Sequence, residues 1–450
     1  MRRIIIILFI LSVSKMHAQT PEQIAEVDRI SYEQFQQKDF KKLKETVKDA
    51  LANDIDFYYL RLRVGILAYD KKNFEYAIPH FKKALEFAPL DTLSKEYLYY
   101  AYVFTSRQEM ANEFASKQDI LFQQKVGYKR KPFDFIGIDG GAVITDNISA
   151  NKDKSFKGNT NQGKAERSLN GNLYFGELFF QNTIKNRLHI NNSFSVFNTS
   201  SRHEFELTKP NFETITNART FNNLNFQYNL GLSYITKKDW TIALGLGYYR
   251  VKSNTFSAGQ PDLLNNIVPI TVNTIAINSF LGSITISKRI KNVQPFLQIS
   301  ASNLNAVKQA QIEGGLTYFP LGNYNLYGTT TAAYLRNGTI NQYVIKQQIG
   351  FKLLKWWWSE LNFNYGNLSN YHANNGFTTY NTSDAIKLQT GIDFNFYIKK
   401  HVQLNIGYTL QQRTKIITSY QGMQNPQPNI TTQQSNNFTH LIKSGFIWKF

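Results

Sequence analysis

The sequence predicts an α + β membrane protein, a short N-terminal α-solenoid followed by an antiparallel transmembrane β-barrel of about fourteen strands. Three observations carry this reading. Apolar residues recur at three- and four-residue spacing as far as residue 125, the period of a helix face. From Phe133 to Phe450 the period becomes two, the period of a strand. The alternating segments run to about ten residues, enough to cross a bilayer at a tilt, whereas strands of soluble sandwiches stop at roughly five or six.

Composition agrees. The 450 residues include no cysteine, so neither disulfides nor thiolate-bound metals hold the chain together. Apolar residues make up only 42%, yet 34 Phe and 26 Tyr are present, as suits a sheet with one face in lipid. Residues 1–18 place Arg2 and Arg3 before the apolar run Ile4 to Val13 and end on Ala18, the pattern of a secretory signal peptide. That run is too short to span a bilayer, and no later run reaches eighteen apolar residues, so helical transmembrane folds are excluded. The formal net charge is +19, or +16 once Arg2, Arg3 and Lys15 leave with the leader. For an exported chain this excess directs attention to lipid phosphates or acidic polysaccharide and away from nucleic acid.

Residues 19–125 form the helical domain. Counting a 34-residue frame from Tyr58, Gly65, Ala77, Phe81, Ala84 and Pro89 fall where two antiparallel helices must meet. Small Gly65 and Ala77 permit close approach, Phe81 fills the gap and Pro89 stops the second helix. On these residues the segment resembles a tetratricopeptide repeat. Weaker copies lie upstream, at Asp39-Phe40 and Ala50, and downstream, at Tyr99, Tyr102 and Ala111. The resemblance implies a concave groove for an extended or helical partner segment, and by register Tyr59, Leu62, Ile66, Tyr69 and Asp70 line it. The alternative is a domain that braces or plugs the barrel.

A basic linker, residues 126–132 with Lys129-Arg130-Lys131-Pro132, leads to the barrel, residues 133–450. Leu224, Phe226, Tyr228, Leu230, Leu232 and Tyr234 share one face, and Asn225, Gln227, Asn229, Gly231 and Ser233 the other. The same sorting recurs over Ile386 to Phe396 and Val402 to Gln411. Every second connection is tight, at Lys185-Asn186, Lys237-Lys238-Asp239, Lys291-Asn292, Gly322-Asn323, Leu354-Lys355 and Lys399-Lys400. Most of the intervening ones read as long polar loops, as over 148–169, 206–221, 254–269, 370–384 and 419–436. Short turns belong to the periplasmic side of such barrels, which also places the helical domain in the periplasm. Trp356-Trp357-Trp358, Trp240, Tyr248-Tyr249 and Trp448 suit the interfacial girdles. Lys443, Gly445, Trp448 and Phe450 resemble the C-terminal insertion signal of outer-membrane proteins, which implies barrel-assembly machinery as a partner alongside outer-membrane lipid.

No catalytic constellation, cofactor motif or metal spacing stands out among the histidines and acidic residues, and a non-enzyme is expected. His440 and Ser444 on the last strand lie roughly 13 Å apart along it, too far for proton transfer. By alternation Glu313, Lys346, Glu360, Lys387 and Asp393 point into the lumen, where they either select solutes or pair across strands and seal it.

A periplasmic tetratricopeptide domain ahead of an outer-membrane barrel resembles YaiO-like proteins, exopolysaccharide exporters and surface-lipoprotein assembly modulators. This implies an accessory in assembly, export or translocation, its groove capturing a periplasmic protein or lipoprotein. A diffusion channel is the alternative, and a non-conducting subunit of an outer-membrane complex a third reading.

Overall fold

A computed structural model describes residues 20–131, 133–151, 163–208, 214–236, 238–258, 270–382, 385–421 and 429–450. The expected signal peptide, with Pro132 and Lys237, lies outside the described residues. The chain divides into two compact units, Met1–Tyr128 and Lys129–Phe450.

The first unit is helical: α1 (Pro21–Gln36), α2 (Phe40–Ala52), α3 (Tyr58–Asp70), α4 (Phe74–Phe87), α5 (Thr92–Phe104), α6 (Gln108–Ser116) and α7 (Ile120–Val126). Side chains satisfy the orphan amides at the starts. Thr20 and Gln23 form a reciprocal capping box, and Asp39, Asn73, Asp91 and Asp119 cap later helices. The turns inside the hairpins α1–α2, α3–α4 and α5–α6 each contain one left-handed residue, Lys38, Lys72 and Ser106, spaced 34 residues apart.

At the α3–α4 crossing, a Cβ on Gly65 would sit 2.8 Å from the Phe81 ring, so only glycine lets the helices close to this distance. Ala77, Phe81 and Ala84 are fully buried there, and Pro89 follows the end of α4. Ion pairs join successive hairpins, Arg63 to half-exposed Asp28 at 2.7 Å and Arg107 to Glu75 at 2.8 Å.

His80 gives this unit a pH dependence. It is buried beside Arg61, whose Nη1 donates to its Nδ1 at 3.3 Å. Burial first, and the Arg61 charge second, push its pKa from 6.5 down to about 4. The unfolded chain therefore takes up the proton first. This stability is fully present above pH 6.5 and is lost as pH falls towards 4, by about 3 kcal/mol at the lower limit. Thermal melts followed by helical circular dichroism should show a falling midpoint over this window, and a smaller fall for His80→Gln.

The second unit is a closed barrel. Its strands are β1 (Phe135–Ile144), β2 (Gly163–Ile184), β3 (Leu188–Thr208), β4 (Thr214–Ile235), β5 (Trp240–Ala258), β6 (Ile270–Lys288), β7 (Val293–Ser302), β8 (Gln309–Tyr318), β9 (Leu326–Asn337), β10 (Ile340–Leu354), β11 (Trp357–Gly366), β14 (Ala385–Lys399), β15 (Val402–Gln421) and β16 (Asn429–Lys449). Each pairs antiparallel with its neighbours, and β1 closes the ring on β16, Phe135 opposite Lys449 and Ile144 opposite His440. Two short strands, β12 (His372–Ala373) and β13 (Thr378–Thr379), form a separate hairpin, and a short helix α8 (Asn147–Asn151) follows β1.

The outer wall exposes Leu178, Phe194, Leu246, Ile284, Ile299, Ile345 and Phe363, while the inner wall carries buried Ser193, Asn229, Ser283, Gln298 and Gln311. Apolar residues facing outward on a closed sheet with no free edge define a lipid-embedded barrel.

The wall is uneven. β2 to β6, β15 and β16 run to 19–22 residues, whereas β1, β7, β8 and β11 have 10 each. The ends of most segments expected as long loops are therefore strand, and their residues 152–162, 209–213, 259–269, 383–384 and 422–428 lie outside the described residues. β2 begins at Gly163, β4 at Thr214, β15 reaches Gln421 and β16 begins at Asn429. Above the bilayer both faces meet water, so the backbone ladder continues without the apolar alternation that would advertise it.

Candidate functional site

The connection from β11 to β14 does not stay outside the barrel. It enters the lumen and lies against β5 to β8, far across the ring from its own roots. Its root packs Leu368, Tyr371 and Ala373 against the inner faces of Leu335, Val344 and Ile386. Its tip is a tight turn in which Asn374, Asn375 and Gly376 have φ of 53°, 55° and 92°, the left-handed region that Asn and Gly tolerate best.

The inner wall is shaped to receive this turn. A Cβ on Gly245 would lie 2.0 Å from the Asn375 carbonyl oxygen, and one on Gly231 2.8 Å from the Phe377 ring. Glycine inside a strand is costly, and here it makes room for another segment's backbone.

Hydrogen bonds then fix the loop. Thr285 Oγ1 donates to Asn375 Oδ1 at 2.5 Å, and the Asn375 amide donates to Gln298 Oε1 at 3.3 Å. Tyr249, fully buried, donates from its hydroxyl to the Gly376 carbonyl at 3.0 Å and lies 3.0 Å from Thr379 Oγ1. Gln311 brackets His372 twice, Nε2 donating to its carbonyl at 2.7 Å and Oε1 accepting from its amide at 3.3 Å. His372 Nε2 is 2.7 Å from Ser300 Oγ.

On the short-turn side of the tip lies a cavity of about 550 Å³. Its walls include Phe135, Asp139, Glu177, Phe179 and Asn191, with Asn374, Asn375 and Phe377 contributed by the loop.

Charge is sorted along the axis. At mid-barrel, the register puts Asp139, Glu177, Glu313, Glu360 and Asp393 on the inner face with Lys346 and Lys443. Lys346 pairs with Glu313 at 2.9 Å, and Lys443 with Asp393 at 2.8 Å. Tyr371 also donates to Glu313, and Tyr327 to Glu360. Five carboxylates against two lysines leave this zone acidic.

Of the lumen charges expected from alternation, Glu313, Lys346, Glu360 and Asp393 lie on this face. Lys387 does not. A bulge between Ile386 and Leu388 opposes two residues to one, so Ile386 is buried in the lumenal cluster and Lys387 is exposed. Tyr249, expected in an interfacial girdle, holds the loop instead. Leu62, expected in the groove, is buried; Tyr59 and Asp70 are exposed, and Ile66 and Tyr69 half-buried. Tyr69 joins an aromatic group with Phe74 and Tyr97, at centroid distances of 5.0 and 4.8 Å.

At the C-terminus, a Cβ on Gly445 would collide with the Asp139 carboxylate, Trp448 is exposed, and the Phe450 amide donates to the Asp134 carbonyl at 3.2 Å. His440 Nδ1 lies 2.9 Å from the Tyr408 hydroxyl, an unremarkable strand pair.

The loop's role was not foreseen from sequence. The usable signal was the set of inward glycines, Gly231, Gly245 and Gly247, on neighbouring strands, which leaves room on the inner wall for another segment.

Fold and site together define an integral membrane β-barrel of fourteen strands with one of its own connections folded into the lumen. No protein-family model matches the sequence, and no curated protein matches it. Among solved structures, a FadL homologue of Pseudomonas aeruginosa is similar in fold, with 9% identity and a TM-score of 0.44 over 70% of this chain and 90% of that one. The P. putida toluene transporter TodX gives 7%, 0.42, 70% and 90%, and the β domain of the Bordetella autotransporter Brka 9%, 0.30, 70% and 100%. At these identities the likeness concerns barrel architecture.

Proposed function

We propose that the chain is an outer-membrane channel for small solutes, closed at rest by the β11–β14 loop, with its short-turn end and helical unit on the periplasmic side. The observation that carries this is the seating of Asn375 against Gly245, a fitted contact between a loop and the far wall of its own lumen. The acidic mid-barrel favours neutral or cationic solutes over anions. Opening requires the tip to leave its hydrogen bonds and so to uncover the chamber beneath it.

A double variant, Thr285→Cys with Asn375→Cys, tests the reading in a chain that has no cysteine of its own. In planar bilayers the oxidised form should be silent and the reduced form should conduct intermittently. Equal current in both states would remove the loop as gate.

The accessory role expected from sequence ranks second, as a function of the helical unit. The 34-residue recurrence of Lys38, Lys72 and Ser106 and the exposure of Tyr59 and Asp70 support a tetratricopeptide-type groove for a protein or lipoprotein segment. Deleting residues 20–125 should then abolish co-purification of that partner and leave conductance intact.

A further inference from the structure

The short-turn end of the barrel carries a charge pattern that the channel reading does not use. Five of its six turns present exposed lysine: Lys185, Lys238, Lys291, Lys355, and the pair Lys399 and Lys400. Among the described residues at this end the acids are Asp134 and Asp239. Asp134 accepts from the Gln181 amide at 3.0 Å and from Thr183, so it faces the wall and does not offset the collar.

The opposite end also carries basic residues, but its strand extensions mix both signs and pair some of them, as Arg167 and Arg202 do with Glu204 at 2.5 and 2.6 Å. Both rims are thus basic, and what marks the short-turn one is that its lysines sit on the tight turns themselves, next to the lipid-facing band.

That rim is also where aromatic residues surface on the outer wall. Trp240, Trp356 and Trp448 are each more than two-fifths exposed. Lys288 Nζ lies 4.9 Å over the Trp240 ring and Lys449 Nζ 4.6 Å over Tyr397. Indole rings settle at the boundary between acyl chains and headgroups, so the lysines beside them stand at headgroup depth, continuous with the lipid-facing band. Ammonium groups at that depth, outnumbering the carboxylates of the rim, match phosphate-bearing headgroups.

We infer that the short-turn rim is a collar for anionic phospholipid headgroups in the adjoining leaflet. The collar selects phosphatidylglycerol-type lipid over zwitterionic lipid and fixes the depth of the barrel. It depends on the barrel being lipid-embedded and not on the loop acting as a gate, so it stands or falls separately from the conductance tests.

The test is native mass spectrometry of the full chain released from micelles holding equal amounts of phosphatidylglycerol and phosphatidylcholine with the same acyl chains. Phosphatidylglycerol should be retained in excess, by about fivefold for each lysine engaged, and the excess should shrink as salt rises. The variant Lys185→Gln/Lys238→Gln/Lys291→Gln/Lys400→Gln should bring retention close to parity while keeping the heat-shifted gel mobility of a folded barrel. Lys308→Gln/Arg336→Gln at the opposite end should leave the excess unchanged. Equal retention of both lipids by the unmodified chain would overturn the collar. So would an equal loss on neutralising the opposite end, which would reduce the effect to net charge.

Discussion

Gly245→Ala should convert a barrel that is silent or flickers in planar bilayers into one that carries sustained current. The added methyl would sit 2.0 Å from the Asn375 carbonyl oxygen, 2.5 Å from Ser283 Oγ and 2.8 Å from Asn375 Cβ. The first of these belongs to backbone, which cannot rotate aside, and the turn is already in the left-handed region over three residues. The tip must therefore lift.

Lifting breaks the bonds that Thr285 and Tyr249 donate to Asn375 and Gly376 and the one that the Asn375 amide donates to Gln298. Each is worth about 1 kcal/mol net, and loss of about 3 kcal/mol changes an open-to-closed ratio by a little over a hundredfold. Gly176, on the lipid-facing side of β2, is a control for the same exchange in a strand, because a Cβ there meets nothing within 4 Å. Gly176→Ala should leave conductance as it was. A Gly245→Ala barrel as quiet as the unmodified one would mean that the loop is not what blocks the lumen.

Lys346→Met should have the next largest effect, on the stability of the closed barrel. Glu313 is almost fully buried and depends on Lys346 at 2.9 Å, on the Tyr371 hydroxyl and on Gln311 Nε2 at 3.4 Å. Removing the only cation among these partners leaves a buried carboxylate without its counter-charge, at a cost of about 3–5 kcal/mol. The carboxylate then swings towards water, which breaks the Tyr371 anchor at the root of the loop. Graded heating before electrophoresis should show unfolding at a lower temperature, with more frequent openings in bilayers. The double variant Lys346→Met/Glu313→Gln removes the orphaned charge and should recover much of the loss. Single and double variants that unfold together would show that the pair contributes little.

The barrel was legible because its cause is local. Water on one side and hydrocarbon on the other impose a period of two on each crossing segment, as at Leu224 to Tyr234, and turn residues mark where crossing ends. That is enough to count fourteen strands and to tell the two ends apart. In the helical unit the same kind of local signal, small residues at Gly65 and Ala77 opposite Phe81, locates a helix pair before any coordinates exist.

Three features escaped this reading, each for a reason. The upper strands of β2 to β6, β15 and β16 lie where both faces are wet, so no alternation betrays a ladder that backbone hydrogen bonds sustain unaided. The bulge at Ile386 exchanges inside for outside through a single extra residue, which moves Lys387 off the lumenal face without changing composition. The folded-in loop depends on partners more than 100 residues apart, Tyr249 with Gly376 and Thr379, whose pairing no local period encodes. Which faces meet lipid is settled by chemistry repeated along each strand; what fills the lumen is settled only when closure of the sheet brings Gly245 opposite Asn375.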